Sequence, residues 1–371
     1  PAPLAPHPYP YPYPMDREKG IEAYQAMITA DQYKLHLKEG TIDRVSHVYT
    51  HSDESPVVQV VVSRAKKHTA DITFYELTSV DGEPLPEWRA GAHLDVVVAP
   101  EFVRQYSMCG DPSDRSSYQI AVLREPDGRG GSALMHRIFN EGRTVCVSKP
   151  INHFPVDDSA SISYLMAGGI GVTPMIAMAH ELHHSNKAFE LHYSGRSLQT
   201  MAFIEELAAV PWAEHVTLHV SDEGTRLKLS EVFASAAEVS HVYTCGGEAY
   251  MSAVIDAATA AGIPEEARHL EYFSVPDVPD YVNHEFTISL SQSGKTFTVS
   301  EDETAADVLQ ANGYPVDVKC SDGLCGVCQC KFSSGDVEHR DFVLSKKQRN
   351  DTIILCQSRA AEANGVIELD L

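Results

Sequence analysis

The sequence predicts a multi-domain fold in which an antiparallel β-barrel is followed by a doubly wound parallel sheet and a smaller C-terminal domain. Three observations favour this order. Residues 42–157 contain short β-runs separated by turns, residues 158–275 alternate strands with helices, and residues 284–371 carry cysteines at metal-binding spacing. A chain of 371 residues is also too long for one ordinary domain. A Pro- and Asp-rich linker is expected at 276–283.

The barrel prediction rests on runs in which β-branched and aromatic residues predominate. The clearest are VVQVVVS (57–63), DITFYEL (71–77), HLDVVVA (93–99) and YQIAVL (118–123). Clusters of turn-forming residues separate these runs, as in antiparallel barrels. One helix, over roughly 132–140, is expected to interrupt the strands.

The parallel sheet is predicted because each of several strands precedes a helix. These strands are ISYLMA (162–167), FELHYS (189–194), HVTLHV (215–220) and HVYTC (241–245). Ahead of both domains, residues 1–41 combine a Pro/Tyr-rich segment with a run at helical spacing, which predicts an N-terminal helix.

Composition excludes some classes of function. The formal net charge is −23, which argues against nucleic-acid binding because a phosphate backbone requires a basic surface. No stretch approaches the roughly 18–20 apolar residues of a membrane helix. The first residues lack the basic and apolar regions of a signal peptide, so we expect a cytoplasmic protein without a membrane partner.

Four cysteines near the end of the chain have the spacing of a plant-type [2Fe–2S] site. Cys320, Cys325 and Cys328 form C-x4-C-x2-C, and Cys356 follows after 27 residues. Three thiolates on one loop and a fourth from a distant strand end can enclose a two-iron cluster. Structural zinc usually uses paired C-x2-C arms, which this spacing does not match. The four cysteines are therefore predicted to be the cluster ligands.

Three further motifs precede the cysteines: RQYS at 104–107, GRGGS at 128–132 and AGGIGVTPM at 167–175. In this order, the four motifs resemble the phthalate dioxygenase reductase family of iron–sulfur flavoproteins, which includes vanillate demethylase reductases. The resemblance covers about residues 42–371. It implies that the three predicted domains bind FMN, NAD and a [2Fe–2S] cluster in that order, the last as a β-grasp ferredoxin domain.

The RQYS motif looks like the flavin signature R-x-Y-S of ferredoxin-reductase-like barrels. The resemblance implies that Tyr106 stacks on the isoalloxazine ring and that Ser107 hydrogen-bonds near its reactive nitrogen. Arg104 would neutralise the flavin phosphate through its planar guanidinium. Gln105 completes the motif and is included among the predicted cofactor-binding residues.

The second flavin motif is a Gly-rich turn before a helix. Gly130, Gly131 and Ser132 would bind phosphate through free backbone amides and the helix dipole. The surrounding sequence resembles the branch of the family that uses FMN, although Ile151 replaces the arginine often found there. FMN is therefore expected, with FAD as the alternative.

The AGGIGVTPM motif follows a strand and begins a helix, and it looks like the reductase variant of a nucleotide-binding turn. Gly168, Gly169 and Gly171 would let the backbone approach the pyrophosphate. Thr173 is predicted to cap the helix, and Pro174 suits its first position.

Two more positions are predicted beside the nicotinamide cofactor. The turn TCGGEAYM (244–251) resembles the family's C-G-P-x-x-M, which implies that Cys245, followed by Gly246, lies beside the nicotinamide ring. Gly247 stands where the family has proline. Cys245 is expected to position the ring, since hydride transfer requires no nucleophile.

Three further positions, Arg196, Ser197 and Phe273, concern the choice of nucleotide and the flavin face. Arg196 and Ser197 end the second strand of the sheet and can contact the adenine ribose; relatives with a similar pair prefer NADH, so NADH is expected over NADPH. In the resembling family an aromatic residue after the sheet covers the flavin, which implies Phe273, with Tyr272 as the alternative.

Together these motifs predict an NADH-dependent reductase that passes electrons through FMN and the cluster to a terminal oxygenase, with Cys245, Ser107 and Phe273 nearest the chemistry. The resemblance points to a Rieske non-heme iron oxygenase or demethylase as acceptor. Two alternatives stay open: the reductase portion of a self-sufficient heme-thiolate monooxygenase fusion, and a non-catalytic redox-responsive module. The intact nucleotide and flavin motifs favour a catalyst over the module.

Overall fold

A computed structural model describes residues 57–99, 102–125, 130–236, 239–276, 281–318 and 320–371. These residues divide into two compact units, one up to Leu270 and one from Glu271 onward. The predicted N-terminal segment and helix at 1–41 lie outside the described residues. Across the described ranges, no helix combines the length and apolar character needed to cross a membrane.

The first half of the first unit is the predicted antiparallel barrel. Its strands run in the order β4-β3-β6-β1-β2-β5, with β7 beside β3. They are β1 (Val57–Lys67), β2 (Ile72–Ser79), β3 (Ala92–Ala99), β4 (Phe102–Ser107), β5 (Ser117–Leu123), β6 (Thr144–Ser148) and β7 (Ile151–Asn152). An antiparallel bridge between Met108 and Ile120 joins the end of β4 to β5 and brings the two outer strands together.

Alternation along the strands explains the barrel core. In β1 the side chains of Val58, Val60 and Val62 are fully buried, because every second residue of a strand points to the same face. Helix α1 (Gly131–Ile138) lies between β5 and β6 in the chain, close to its predicted position, and buries Met135 and Ile138.

The second half of the first unit is a five-stranded sheet in the order β10-β9-β8-β11-β12. Its strands are β8 (Ile162–Gly168), β9 (Phe189–Gly195), β10 (Val216–Val220), β11 (Ser240–Cys245) and β12 (Arg268–Glu271). The pairs β8–β9, β9–β10 and β8–β11 are parallel. The connecting helices are α2 (Val172–His184), α3 (Ile204–Ala209), α4 (Leu229–Val232) and α5 (Glu248–Ala260). The five central residues of β8 are buried, as expected when helices cover both faces of a sheet.

The second unit contains the ferredoxin fold. Its main sheet has the order β14-β13-β19-β15-β17, and β16 pairs with β18. The strands are β13 (Phe286–Leu290), β14 (Thr296–Val299), β15 (Gln329–Ser334), β16 (Val337–Glu338), β17 (Thr352–Ile354), β18 (Arg359–Ala360) and β19 (Val366–Leu369). The first and last strands of the unit, β13 and β19, pair in parallel.

Helix α6 (Ala305–Ala311) packs on this sheet and begins at a capping box. The Asp307 amide donates to Thr304 Oγ1 at 3.1 Å, and the Thr304 amide donates to Asp307 Oδ2 at 2.9 Å. The two bonds satisfy donors that the helix leaves free. The fold class predicted from the sequence is therefore confirmed, whereas the finer domain boundaries stay predictions.

Candidate redox sites

The predicted cluster ligands come together in the second unit. Cys320, Cys325 and Cys328 lie on the loop between α6 and β15, and Cys356 follows β17. All but Cys320 are buried. Hydrogen bonds from neighbouring thiols lower the pKa of Cys320 and of Cys328, while donating such bonds raises the pKa of Cys325 and of Cys356. Four free thiols linked by these hydrogen bonds are the donor set that a two-iron cluster requires.

The backbone of the cysteine loop is shaped to approach these sulfurs. Ser321, Gly323 and Gly326 have positive φ angles of 57°, 73° and 68°, which turn the chain tightly. The Asp322 amide donates to Cys320 Sγ at 3.3 Å. A Cβ atom on Gly323 would lie 3.1 Å from Asp341 Cα, so a side chain here would crowd that backbone as well as strain the backbone angle.

Two hydrogen bonds fasten the fourth cysteine's segment to the loop. The Leu355 amide donates to the Cys328 carbonyl at 3.1 Å, and Gln357 Nε2 donates to the Ser321 carbonyl at 2.6 Å. Cys330 is separate from the ligand set: it lies in β15, its Sγ donates to the Lys331 carbonyl, and burial raises its pKa to about 11. The residues present fit a [2Fe–2S] cluster held by four thiolates.

The flavin motif RQYS lies on β4 of the barrel, paired with β3. Alternation puts Arg104 and Tyr106 on one face and Gln105 and Ser107 on the other. Gln105 Nε2 is 2.9 Å from His93 Nε2. Tyr106 is half-buried against the core, and burial raises its pKa. Ser107 is buried.

The second flavin motif meets Arg104 directly. A Cβ atom on Gly131 would lie 2.6 Å from Arg104 Nε. Gly130 is the N-cap of α1, with φ 88°, and has no side chain with which to cap the helix. Ser132 Oγ accepts a hydrogen bond from the Glu125 amide at 3.1 Å, so its hydroxyl links the start of α1 to the residues after β5. A guanidinium beside an uncapped helix N-terminus fits a phosphate group, as FMN would supply.

The nucleotide motif follows β8, where two loops touch backbone to backbone. A Cβ atom on Gly171 would lie 2.2 Å from the Cys245 carbonyl oxygen, and one on Gly246 would lie 2.9 Å from Gly168 Cα. By contrast, a Cβ atom on Gly169 would meet nothing within 4 Å, and this residue is exposed with φ 54°. Gly168, Gly171 and Gly246 thus allow the two loops to approach each other. Gly169 leaves open space for a nucleotide.

The predicted capping role of Thr173 is wrong. Helix α2 begins at Val172 after a short 3-10 turn, with Gly171 as the N-cap. Thr173 is therefore inside the first turn, and its hydroxyl donates to the Ile170 carbonyl at 3.1 Å. Pro174 is the third helical residue, not the first. Both are buried, and their predicted part in nucleotide binding stays a prediction.

Cys245 is the last residue of β11 and is fully buried. Beside it, the sequence interpretation missed Tyr250, whose ring covers Gly168: a Cβ atom on that glycine would lie 2.9 Å from Tyr250 Cδ1. The signal was present, since Tyr250 belongs to the TCGGEAYM turn.

The last predicted positions are more exposed. Arg196 Nε lies 3.8 Å from Asp222 Oδ2, and 84 % of the arginine side chain is exposed. Ser197 forms a capping box with Thr200. Phe273 belongs to the second unit and is 44 % exposed; its role beside a flavin stays a prediction.

Comparisons with known proteins agree with this arrangement. The model of the 2Fe–2S iron–sulfur cluster binding domain matches residues 288–361. Vanillate O-demethylase oxidoreductase of Pseudomonas sp. strain HR199 is 36% identical over 317 residues, which are 84% of this chain and 100% of that protein. The chain belongs to the phthalate dioxygenase reductase family.

Solved structures support the family assignment. A phthalate dioxygenase reductase, described as a modular structure for electron transfer from pyridine nucleotides to [2Fe–2S], is 36% identical with a TM-score of 0.61. The match covers 87% of this chain and 100% of that chain. An intact type IV self-sufficient cytochrome P450 monooxygenase is 35% identical with a TM-score of 0.78 over 90% of this chain, which spans only 44% of that longer protein.

Membership of the phthalate dioxygenase reductase family confirms several predictions. The chain is a flavin and iron–sulfur oxidoreductase of the kind that serves oxygenase systems, and the predicted cofactors FMN, NADH and [2Fe–2S] agree with the family. The individual flavin and nucleotide contacts stay predictions.

Proposed function

We propose that this chain passes electrons from NADH, through FMN bound at Arg104 and the Gly130–Ser132 turn, to the [2Fe–2S] cluster and on to a Rieske-type non-heme iron oxygenase. The observation that carries the proposal is the convergence of four cysteine thiols in a unit that follows a barrel and a nucleotide sheet. A flavin, when bound, accepts two electrons as hydride and releases them singly.

The protein's own part is to bind and position the cofactors. Arg104 and the free amides of α1 hold the flavin phosphate, and Tyr106 on the same face of β4 packs against the ring system. Gly169 leaves room for the pyrophosphate at the end of β8. No acid–base residue is needed, because hydride transfer moves no separate proton.

The cysteine loop adjusts the reduction potential of the cluster. Backbone donors such as the Asp322 amide stabilise negative charge on Cys320 Sγ, and hydrogen bonds to the sulfurs raise the reduction potential. From Glu285 onward the chain has 14 acidic and 8 basic residues, a net charge of −6. An acidic ferredoxin unit suits a basic docking face on the acceptor, with an association rate that falls as salt rises.

One observation favours a second acceptor. The match to a self-sufficient P450 covers 90% of this chain, and its TM-score of 0.78 is higher than the 0.61 of the phthalate dioxygenase reductase. In this alternative the chain is the reductase portion of a heme-thiolate monooxygenase fusion, and the electrons reach a heme instead of a non-heme iron.

One anaerobic experiment tests both proposals. The reconstituted protein is mixed with NADH or NADPH in a stopped-flow instrument, and flavin and cluster bands are followed separately. The reduced protein is then mixed with a Rieske oxygenase or with an isolated heme-thiolate monooxygenase domain. Rapid reduction by NADH and oxidation by the Rieske protein are expected. Oxidation by the heme protein alone would establish the alternative, and an unreduced cluster would overturn both.

A further inference from the structure

Three side chains outside the redox sites converge where the barrel meets helix α2. Asp111 lies between β4 and β5, and His180 and His184 lie on α2. The two histidines are four residues apart, so they share one face of the helix. One ligand atom from each of the three side chains lies within 4.8 Å of the other two.

The distances suit a metal ion. His184 Nε2 is 2.8 Å from Asp111 Oδ2, and His180 Nδ1 is 3.7 Å from the same oxygen. Ligand atoms around a tetrahedral Zn²⁺, with bonds of about 2.0–2.1 Å, lie about 3.3 Å apart. These two separations lie on either side of that value, and the ligand nitrogens of the two imidazoles lie within 4.8 Å of each other, so the side chains must rotate to hold an ion.

Neighbouring groups already orient the carboxylate. Asp111 Oδ1 accepts hydrogen bonds from the Ser113 amide at 2.9 Å and from Ser113 Oγ at 2.8 Å. This leaves Oδ2 directed at the histidines. Such outer hydrogen bonds are the usual means of fixing a metal ligand.

The Nδ1 atom of His180 faces the same carboxylate oxygen. It accepts a hydrogen bond from Trp212 Nε1 at 3.3 Å, so this nitrogen carries no proton and faces the carboxylate as a second acceptor. A cation between them relieves that unfavourable pairing. Coordination at Nδ1 would cost the Trp212 hydrogen bond, which lowers the affinity of the site.

We propose that Asp111, His180 and His184 bind one Zn²⁺-class divalent cation, with water at the open position. Two imidazoles and one carboxylate favour Zn²⁺ and similar ions over Mg²⁺ or Ca²⁺, which prefer oxygen ligands. The ion joins the barrel to the helix that starts at the nucleotide loop, and so it cross-links the two halves of the first unit.

The test uses the full chain, free of affinity tags, with FMN and the cluster bound so that the cluster cysteines are occupied. Zn²⁺ binding is measured by calorimetry and by competition with a chromogenic chelator, with Mg²⁺ as the negative control. The cluster absorbance is followed to show that zinc does not displace iron. The variants are Asp111→Asn and His184→Ala, both at partly exposed positions. His183→Ala is the matched control, because it removes a neighbouring histidine from the same helix.

The wild type and His183→Ala are expected to bind one more equivalent of Zn²⁺ than the two ligand variants, or to bind it at least about tenfold more tightly. Zn²⁺ should also raise the thermal transition of the wild type, because an ion that binds only the folded state stabilises it. Equal stoichiometry and affinity in all four proteins would overturn the proposal, as would equal losses in His183→Ala and His184→Ala.

Discussion

Gly131 lies so close to Arg104 that a Cβ atom on the glycine would be 2.6 Å from the arginine Nε. The contact joins the two sequence motifs predicted to bind the flavin, one at the end of β4 and one at the start of α1. Arg104 Nη1 also donates to the Val103 carbonyl at 2.9 Å, so the guanidinium is held beside the helix N-terminus.

Gly131→Ala should therefore weaken flavin binding without unfolding the barrel. The added methyl group meets the flexible part of Arg104, which can move aside at little cost to the fold but no longer reaches the phosphate. A charged hydrogen bond of this kind contributes about 1.5–3 kcal/mol, so we expect the FMN dissociation constant to rise roughly tenfold or more. Fluorescence titration of the apoprotein measures it. Gly247→Ala, at a position with open space, is the control; equal affinities would show that Arg104 does not hold the phosphate.

Gly247→Pro should stabilise the protein. Gly247 precedes α5 with φ −64° and ψ 148°, which are angles that proline adopts readily. Fixing them reduces the entropy of the unfolded chain, for an expected gain of about 0.4–1 kcal/mol. Denaturant unfolding measures this gain. The matched control is Gly262→Pro, which should destabilise because Gly262 has φ 83° and its amide donates to the Thr259 carbonyl. A loss of stability in both variants would contradict the interpretation.

Local pattern predicted the order of the three folds and the cluster of four cysteines, because strand alternation and closely spaced cysteines are properties of neighbouring residues. The roles of the glycines were harder to predict. Gly171 and Gly246 allow loops some 75 residues apart to touch, and such a contact exists only in the folded chain. The error at Thr173 has a local cause: a 3-10 turn precedes α2, and the helix begins at Val172. Helix boundaries predicted from sequence can differ from observed ones by one or two residues.

Serine substitutions should distinguish the cluster ligands from the nearby Cys330. Cys325→Ser is expected to abolish the [2Fe–2S] absorption bands and electron transfer to cytochrome c, because a hydroxyl is a poor substitute for a thiolate ligand. NADH oxidation with ferricyanide should continue through the flavin. Cys330→Ser should keep a normal cluster spectrum, since its sulfur contacts the Lys331 carbonyl. Cluster loss in Cys330→Ser with retention in Cys325→Ser would reverse the assignment.

Acid should weaken the nucleotide sheet through His269. Burial, together with the neighbouring His241, lowers the pKa of His269 to about 4. The ring of His269 stacks on that of Tyr243, with 4.5 Å between the ring centroids. Above pH about 6.5 both folded and unfolded states hold this histidine neutral. As the pH falls from about 6.5 towards 4, only the unfolded state takes up the proton, so stability is lost, by about 2–3 kcal/mol.

Two measurements check this expectation. Imidazole C–H resonances should include one that titrates near pH 4 and disappears in His269→Gln. Denaturant unfolding at pH 7.5 and pH 5 should show a smaller pH dependence in that variant than in the wild type or in His183→Gln. A His269 resonance that titrates near 6.5 would exclude this source of acid sensitivity.

Glu181 lies outside the motifs predicted to bind the cofactors, yet we expect it to influence the rate of hydride transfer. Its carboxylate on α2 accepts a hydrogen bond from the Ala90 amide at 2.7 Å, and it pairs with the Arg89 guanidinium. Ala90 leads into β3, the partner of the flavin strand β4, while α2 begins at the nucleotide loop. Glu181 thus holds the barrel and the sheet in one orientation. Because a misplacement of about 1 Å can cost 100-fold in rate, we expect Glu181→Ala to slow flavin reduction by NADH roughly tenfold.

Stopped-flow reduction at saturating NADH measures this rate, and the flavin and cluster spectra should be unchanged. Glu181→Gln, which keeps an acceptor for the Ala90 amide, should lie between the wild type and Glu181→Ala. The control is Asp71→Ala, which removes an exposed ion pair with Arg124 within the barrel and should leave the rate unaltered, since such pairs contribute little. If Glu181→Ala reduces its flavin as fast as the wild type, the orientation of the two halves is fixed by other contacts, of which the pairing of Lys66 with Glu206 is the next to remove.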